Sequence, residues 1–143
     1  MRILLFLILI ITSINFVLSQ YQGSNWVLGY HNGINDTNNI CGKMVVKFQS
    51  NRDPEVTCSQ NDNQLFLNGN QATISDKSGQ LLFYFDGYRI ANSKHEIIEN
   101  GDGINAGKVQ EIYPDSYPIE KGCLILPDPE NENKWYILHQ YLE

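Results

Sequence analysis

The stretch Ala72–Gly101, ATISDKSGQLLFYFDGYRIANSKHEIIENG, predicts the kind of sheet that this chain builds. Asp and Ser side chains bond to nearby backbone groups and Gly accepts a positive φ, so Asp76–Gly79 is expected to reverse the chain tightly. Before this turn, Ala72–Ser75 alternates small or polar residues with apolar ones, which is typical of a strand. The first part of the stretch therefore predicts a β-hairpin.

The second arm of this hairpin, Leu81–Phe85, is apolar at every position. Such a run is typical of a strand that is covered on both faces. A buried helix segment has the same pattern over so short a length, but the aromatic residues and the flanking Gly79 and Gly87 favour a strand. Two further arms are expected at Tyr88–Ala91 and, more weakly, at His95–Ile98.

The rest of the chain predicts an all-β fold, because no stretch after residue 19 has the apolar period of a helix. The polar composition of Gln49–Gln64 and the Gly, Asn, Asp and Pro content of Asn100–Lys121 predict loops. The remaining strands are expected at Trp26–His31, Met44–Phe48, Cys123–Pro127 and Lys134–His139, the last two joined around Asp128–Asn133.

Two all-β architectures fit this pattern. Leu81–Tyr84 and Trp135–Leu138 each follow a polar turn and a short apolar arm, with Leu82 and Tyr136 separated by 54 positions. Periods of about 40–50 residues are typical of β-propellers, whose stacked blades cover their inner strands on both faces. We therefore expect a partial β-propeller-like array of antiparallel hairpins, with a β-sandwich as the alternative.

The first 19 residues have the composition of a secretory signal peptide. Arg2 gives a positive start, Ile3–Val17 is almost wholly apolar, and Val17-Leu18-Ser19 offers a cleavage site before Gln20. The apolar run is shorter than the roughly 20 residues that span a membrane. We expect an exported protein, secreted or held at the cell surface, whose single domain is residues 20–143.

The charge of the exported chain is moderately acidic. Removal of residues 1–19 takes away one basic residue, Arg2, and leaves 9 Lys and Arg against 16 Asp and Glu, a net charge of −7. This balance argues against nucleic acid or an anionic membrane as a partner. A protein or a glycan is the expected partner class.

Several motifs resemble those of one group of proteins. In chain order they are Trp26-x-x-Gly29, Ala72-Thr73-Ile74-Ser75-Asp76-x-x-Gly79-x-Leu81-Leu82-Phe83-Tyr84-x-Asp86-Gly87, Asn92-x-x-His95-x-Ile97, Glu99-Asn100-Gly101-Asp102-Gly103-Ile104-Asn105, Tyr117-Pro118-Ile119-x-x-Gly122 and Leu124-Ile125-Leu126-Pro127-x-Pro129. Together they resemble the N-terminal region of large secreted proteins of Bacteroidetes-type bacteria. Those proteins are β-propeller-like and usually end in a sorting domain for the type IX secretion system.

The resemblance covers about residues 26–140 and implies a propeller-like fold and export. It brings no catalytic residues with it. The chain differs from the pattern at Phe85, where a small polar residue is usual, and in ending at Glu143 without later blades or a sorting domain. We therefore expect an incomplete propeller that lacks its downstream blades.

The cysteines and histidines show no metal or catalytic spacing. Cys41 and Cys58 lie in polar surroundings of an exported chain and are the candidate disulfide, whereas Cys123 lies in an apolar strand and is expected to be a buried thiol. The three histidines are far apart and are expected to be hydrogen-bonding residues at loops or strand ends. They are His31, His95 and His139.

No cofactor is expected. Clusters of carboxylate and amide side chains can hold calcium, but none of the clusters has EF-hand spacing, and solvated turns are the simpler interpretation. The clusters are Asn61-Asp62-Asn63, Asn100–Gly103 and Asp128–Glu132. No catalytic residue is selected by the sequence: Glu96, Glu99 and Asp102 can be considered as the carboxylates of a carbohydrate hydrolase, but nothing in the sequence singles them out.

Aromatic residues in or beside loops give a second route to function, because their rings can stack on sugars. The candidate glycan contacts are Trp26, Tyr30, Tyr113 and Tyr117; simple packing is the alternative role. We expect a secreted or cell-surface β-repeat module that binds a protein or glycan without catalysis. The alternative is a fragment of a secreted propeller-type hydrolase acting on carbohydrate.

Overall fold

The computed structural model describes residues 22–29, 42–59, 65, 67, 69–114 and 116–142. The expected signal peptide, residues 1–19, lies outside these ranges, as do Tyr30, His31 and Cys41. Within them the chain is all-β, as predicted, with eight strands in three small antiparallel sheets. The described part also contains one short helix, α1 (Lys108–Ile112).

Each sheet pairs only strands that follow one another in the chain. The first sheet contains β1 (Asn25–Gly29), β2 (Lys43–Lys47) and β3 (Glu55–Ser59); the second contains β4 (Ala72–Ser75), β5 (Leu81–Phe85) and β6 (Ile90–Asn92); the third is the hairpin of β7 (Cys123–Pro127) and β8 (Trp135–His139). The expected fourth arm at His95–Ile98 is reduced to one isolated bridge between Ala91 and Ile97.

Strand β3 corrects the prediction that Gln49–Gln64 is mostly loop. Val56, Thr57 and Cys58 favour the extended backbone, and β3 pairs along its whole length with β2. All five residues of β3 are exposed, and the alternation in its sequence rests on only two apolar residues, Val56 and Cys58, within a polar segment. Helix α1 corrects the irregular assignment of Asn100–Lys121 in the same way, because five residues are too few for a helical period to be visible.

The turn between β4 and β5 forms where the sequence predicts it. Asp76 Oδ1 accepts hydrogen bonds from the Ser78 and Gln80 backbone N–H groups at 2.8 and 2.9 Å, and from the Ser78 hydroxyl at 2.7 Å. Gly79 takes a φ of 79°, which a residue with a Cβ rarely adopts. The pairing then shifts register, with Ile74 opposite Phe83 and Ser75 opposite Leu81.

The second sheet is covered on both faces, as the apolar run Leu81–Phe85 predicts. Tyr84 is fully buried against Val27 of the first sheet, in a cluster that also contains Leu65, Leu67 and Ala91. Phe85 is fully buried in a second cluster with Ile74 and with Ile125 of the third sheet. The second sheet therefore lies between the other two, and β5 contributes to both clusters.

Four apolar residues of β5 and β8 lie at the rim of the second cluster. They pack against it but remain half-buried: Leu82, Phe83, Trp135 and Ile137. Phe83 and Trp135 meet edge to face with their ring centroids 5.5 Å apart.

A third cluster lies beyond the end of β5. Tyr88 and Tyr117 are buried with ring centroids 5.3 Å apart, and α1 contributes Val109. Asp86 fixes the tight turn that brings Tyr88 here, because its buried Oδ1 accepts the Tyr88 and Arg89 backbone N–H groups at 2.8 and 2.6 Å. Asp86-Gly87 therefore forms the turn between β5 and β6.

The first strands of the three sheets contact one another in succession. Strand β4 contacts β1 on one side and β7 on the other. Within each sheet, every later strand pairs with the strand before it in the chain. The three sheets are therefore arranged in chain order, and the later strands of each sheet lie farther from the contacts between β1, β4 and β7.

Candidate functional site

A groove between two turns forms a cavity in the described residues, and we name it the turn groove. One wall is the β4–β5 turn, around Asp76–Ser78, and the other is the β7–β8 turn, Asp128–Asn133. The floor is formed by the less polar residues Leu82, Pro127 and Trp135. The groove encloses about 1010 Å³.

The β7–β8 turn has the same construction as the β4–β5 turn. Asp128 Oδ1 accepts the backbone N–H groups of Glu130 and Asn131 at 2.9 and 3.2 Å. Its Oδ2 accepts the Tyr136 hydroxyl at 2.7 Å and lies 3.2 Å from Lys134 Nζ. These bonds, above all the one from Tyr136, lower the pKa of Asp128 to about 2.

An ion pair crosses the groove between the two turns. Lys77 Nζ lies 2.6 Å from Glu132 Oε2, and both side chains are well exposed. This contact lowers the pKa of Glu132, first through the hydrogen bond from Lys77 and then through its charge. The pair closes one side of the groove, but at such exposure it contributes little to stability.

Three carboxylates of the turn groove, Asp76, Asp128 and Glu132, do not have the properties of the proton donor in a hydrolytic pair. A glycoside hydrolase needs a carboxylic acid whose pKa is raised so that it can donate a proton. The pKa of Asp76 is lowered, chiefly by the Ser78 hydroxyl, and the pKa values of Asp128 and Glu132 are lowered as well. These three groups remain ionised acceptors, which suits binding and not proton donation.

The carboxylates that the sequence offered for a hydrolase are engaged elsewhere. Asp102 Oδ1 lies 3.2 Å from Arg89 Nε, and Glu96 Oε2 accepts a hydrogen bond from Asn92 at 3.2 Å. The lining of the turn groove contains none of the three carboxylates Glu96, Glu99 and Asp102.

The calcium hypothesis gains no support from the described clusters. Asp128 Oδ1 and Oδ2 are both occupied by protein donors, and no group of three or more His, Cys, Asp or Glu side chains converges on one point within the described ranges. Asn61-Asp62-Asn63 lies outside those ranges.

The predicted aromatic contacts are not brought together. Tyr117 is only 3% exposed, and its hydroxyl donates to the Gln140 carbonyl at 2.6 Å, so it offers no ring face to a sugar. Trp26 is 53% exposed and meets Phe48 edge to face at 4.8 Å on the first sheet, while Tyr113 is exposed after α1. Tyr30 lies outside the described residues. The aromatic residue of the turn groove, Trp135, was not among the candidates.

The histidines in the described residues act as local bonding and packing groups. The Tyr84 hydroxyl and His95 Nδ1 are 3.1 Å apart, and the His139 ring lies edge to face on Phe85 at 5.8 Å. Burial, and secondarily the nearby Asp86 carboxylate, raises the pKa of Tyr84 well above its ordinary value. Tyr84 is therefore a neutral hydroxyl that can bond to His95.

Cys58 forms a disulfide, and Cys123 is a free thiol. Cys41, the partner that the sequence predicts for Cys58, lies outside the described residues. Cys123 is half-buried in β7, and burial together with the Asp86 charge raises its pKa to about 11. It is therefore an unreactive packing residue and not a nucleophile.

The outer face of the β7–β8 hairpin is a feature that sequence reasoning missed. Leu124 pairs across the hairpin with Leu138, and Leu126 with Tyr136, so the four side chains share one face. All four are exposed, with Tyr136 at 44% and Leu138 at 54%. The opposite face packs in the second cluster, so the two hairpin strands carry apolar residues on both of their faces.

Comparison of the chain with protein-family models, with curated proteins and with solved structures finds no match. In the part of the chain that the structure describes, no helix has the length and apolar character needed to cross a membrane.

Proposed function

We propose that this chain is an exported β-repeat module, secreted or held at the cell surface, that binds a protein partner and does not catalyse a reaction. The observation that carries the proposal is strand β8, which contains no Asp, Glu, Lys or Arg and whose Tyr136 and Leu138 side chains remain exposed to solvent. Contiguous exposed apolar residues on a sheet are typical of protein interaction sites.

The chemistry of the turn groove supports binding over catalysis. Asp76 and Asp128, two of its carboxylates, have lowered pKa values and accept hydrogen bonds within their own turns. The uncovered apolar face of β8 also favours a binding module over a hydrolase.

We further propose that the three sheets are blades of a propeller-like array. Two observations support it: the first strands contact in succession, β1 to β4 and β4 to β7, and an apolar cluster fills the space between each pair of neighbouring sheets. Both features are expected where blades stack around an axis with their first strands innermost.

Export rests on the composition of residues 1–19, and Edman sequencing of exported protein should begin at Gln20.

The binding function is tested by replacing the two exposed residues of β8. Protein expressed from the full reading frame, as wild type and as the Tyr136→Lys/Leu138→Lys variant, is cross-linked in the medium and at the surface of the secreting cells. The control is Ile112→Lys, at an exposed apolar position on α1.

The proposal predicts a stoichiometric protein adduct, identified by mass spectrometry, for the wild type and the control but not for the β8 variant. An adduct that forms equally with all three proteins would overturn it. So would release of reducing sugar from polysaccharide by the wild type.

A further inference from the structure

The outer edge of β8 is open among the described residues. On one side β8 pairs with β7 over its whole length, and no described strand pairs with its other side. An open edge exposes a row of backbone N–H and C=O groups that can pair with another strand.

The ladder between β7 and β8 shows which residues present these groups. Backbone bonds join Asp128 N–H to the Lys134 carbonyl and Gln140 N–H to the Gly122 carbonyl, each at 2.9 Å. In an antiparallel ladder, hydrogen-bonded pairs alternate with pairs that are not hydrogen-bonded. Since Lys134 and Gln140 are bonded to the β7 side, Tyr136 and Leu138 between them also direct their backbone N–H and C=O groups toward β7. Trp135, Ile137 and His139 therefore direct their N–H and C=O groups outward.

This edge lacks the devices that protect edge strands. Such strands usually carry Lys, Pro or a bulge that blocks pairing. Strand β8 reads Trp-Tyr-Ile-Leu-His and contains none of these between its ends, its pairing with β7 is regular, and the preceding Lys134 is held by Asp128 of the turn. By contrast, β3 follows Pro54 and begins with Glu55, and the edge of β6 is covered by the bridge from Ala91 to Ile97.

We propose that β8 pairs antiparallel with β8 of a second copy of this chain, about a two-fold axis at Ile137; this inference rests on the proposed binding function and names its partner. Only outward-facing residues can form hydrogen-bonded pairs across the edge. With the axis at Ile137, Ile137 of one copy pairs with Ile137 of the other, and Trp135 of each copy pairs with His139 of the other. Every outward-facing backbone N–H and C=O group of β8 then has a partner. A shift of the axis by one residue either way leaves one end of β8 without its partner.

The side chains of β8 fit this register. Tyr136 of one copy lies opposite Leu138 of the other, twice, so that two exposed aromatic–aliphatic pairs are formed. Outside the strand, Lys134 faces Gln140, and Glu132 faces Leu142. No two like charges oppose one another from residue 132 to residue 142. Two hairpins joined in this way form one four-stranded sheet, which is more stable than an isolated two-stranded one.

The register is tested by charges placed at the two facing positions. Tyr136→Lys/Leu138→Lys sets Lys against Lys in both pairs, whereas Tyr136→Lys/Leu138→Glu sets Lys against Glu at the same positions. The Leu124→Lys/Leu126→Lys variant changes the same face of the hairpin away from its edge. All proteins are expressed from the full reading frame, checked by circular dichroism and compared by sedimentation equilibrium.

We expect a wild-type dimer that the Lys/Lys variant weakens by on the order of tenfold or more, because like charges directly opposite destabilise a strand pair. The Lys/Glu variant should recover most of this loss, and the β7 variant should remain dimeric. Loss of the dimer in the β7 variant would show face-to-face packing and overturn the proposal.

A wild-type monomer would also overturn the inference. If that monomer still formed a β8-dependent adduct with a different protein, the binding function would stand and only the identity of the partner would be wrong. Since the Lys/Lys and Lys/Glu variants alter the same two positions, a general folding defect would affect both and would not give selective recovery.

Discussion

Gly87 and Tyr117 lie so close that a Cβ atom added at Gly87 would be 2.5 Å from the Cβ of Tyr117. Gly87 also has a φ of 100°, in the region that residues with a Cβ rarely adopt. Its carbonyl accepts a hydrogen bond from the buried Asn105 side chain at 2.6 Å. The position joins the end of β5 to the third cluster, and only glycine fits there.

Gly87→Ala should therefore be strongly destabilising, by about 2–4 kcal/mol, because steric overlap is added to an unfavourable backbone conformation. The measurement is the free energy of unfolding from urea titration. The matched control is Gly23→Ala, since a Cβ at Gly23 meets nothing within 4 Å. Equal stability of the two variants would show that Tyr117 does not pack on Gly87 in solution.

Phe85→Ala should cost about 3–5 kcal/mol of unfolding free energy, because the ring is fully buried between the second and third sheets. Ile112→Ala, on the exposed face of α1, should cost less than about 1 kcal/mol. The same chemical denaturation experiment compares them. A loss below about 1 kcal/mol for Phe85→Ala would contradict the double covering of β5.

Asp128 should make stability depend on pH in the acidic range. Its pKa is lowered from 3.8 to about 2 in the folded state, so the unfolded chain binds a proton first as the pH falls. The stabilisation is fully present above about pH 4–5 and is lost as the pH falls toward 2.

Tyr136→Phe removes the largest cause of this shift and should move the Asp128 pKa back toward its ordinary value. Carbon-13 NMR titration of the carboxyl group measures it directly. Tyr113→Phe, at an exposed tyrosine outside this turn, is the control and should leave the titration unchanged. An unchanged Asp128 titration in Tyr136→Phe would exclude the hydroxyl as the dominant donor.

The thiol of Cys123 should resist alkylation in the folded protein at pH 8, because it is half-buried and its pKa is raised to about 11. Iodoacetamide labelling followed by peptide mass spectrometry should modify Cys123 only after denaturation. Without reductant, Cys58 should remain unlabelled, and its disulfide-linked peptide should contain Cys41. Rapid labelling of native Cys123 would place it at the surface.

Short-range features of this fold are readable from the sequence because their chemistry is local. The Asp76–Gly79 turn depends on a side chain bonding to backbone groups two and four residues later, and on one glycine. Strand β3 was not recognised, since its alternation is limited to Val56 and Cys58 within a polar segment, and its five exposed residues gain order from pairing with β2.

A continuous apolar run does not reveal how many of its faces are covered. Leu81–Phe85 is covered on both faces, whereas Trp135–Leu138 has one face in the second cluster and the other in solvent. The two runs look alike in sequence because covering depends on which sheets lie nearby, and this is a property of the tertiary arrangement. The turn groove was hidden for the same reason, since Lys77 and Glu132 are 55 positions apart.

Pairing only between successive strands also has a kinetic consequence. Each sheet closes short loops, for which the entropic cost is small, whereas docking β4 against β1 and β7 joins distant parts of the chain. Hairpins are therefore expected to form early and the sheets to associate late. Amide hydrogens of β5, which is held from both sides, should exchange with solvent only when both neighbouring sheets separate, and those of β3 should exchange by local opening.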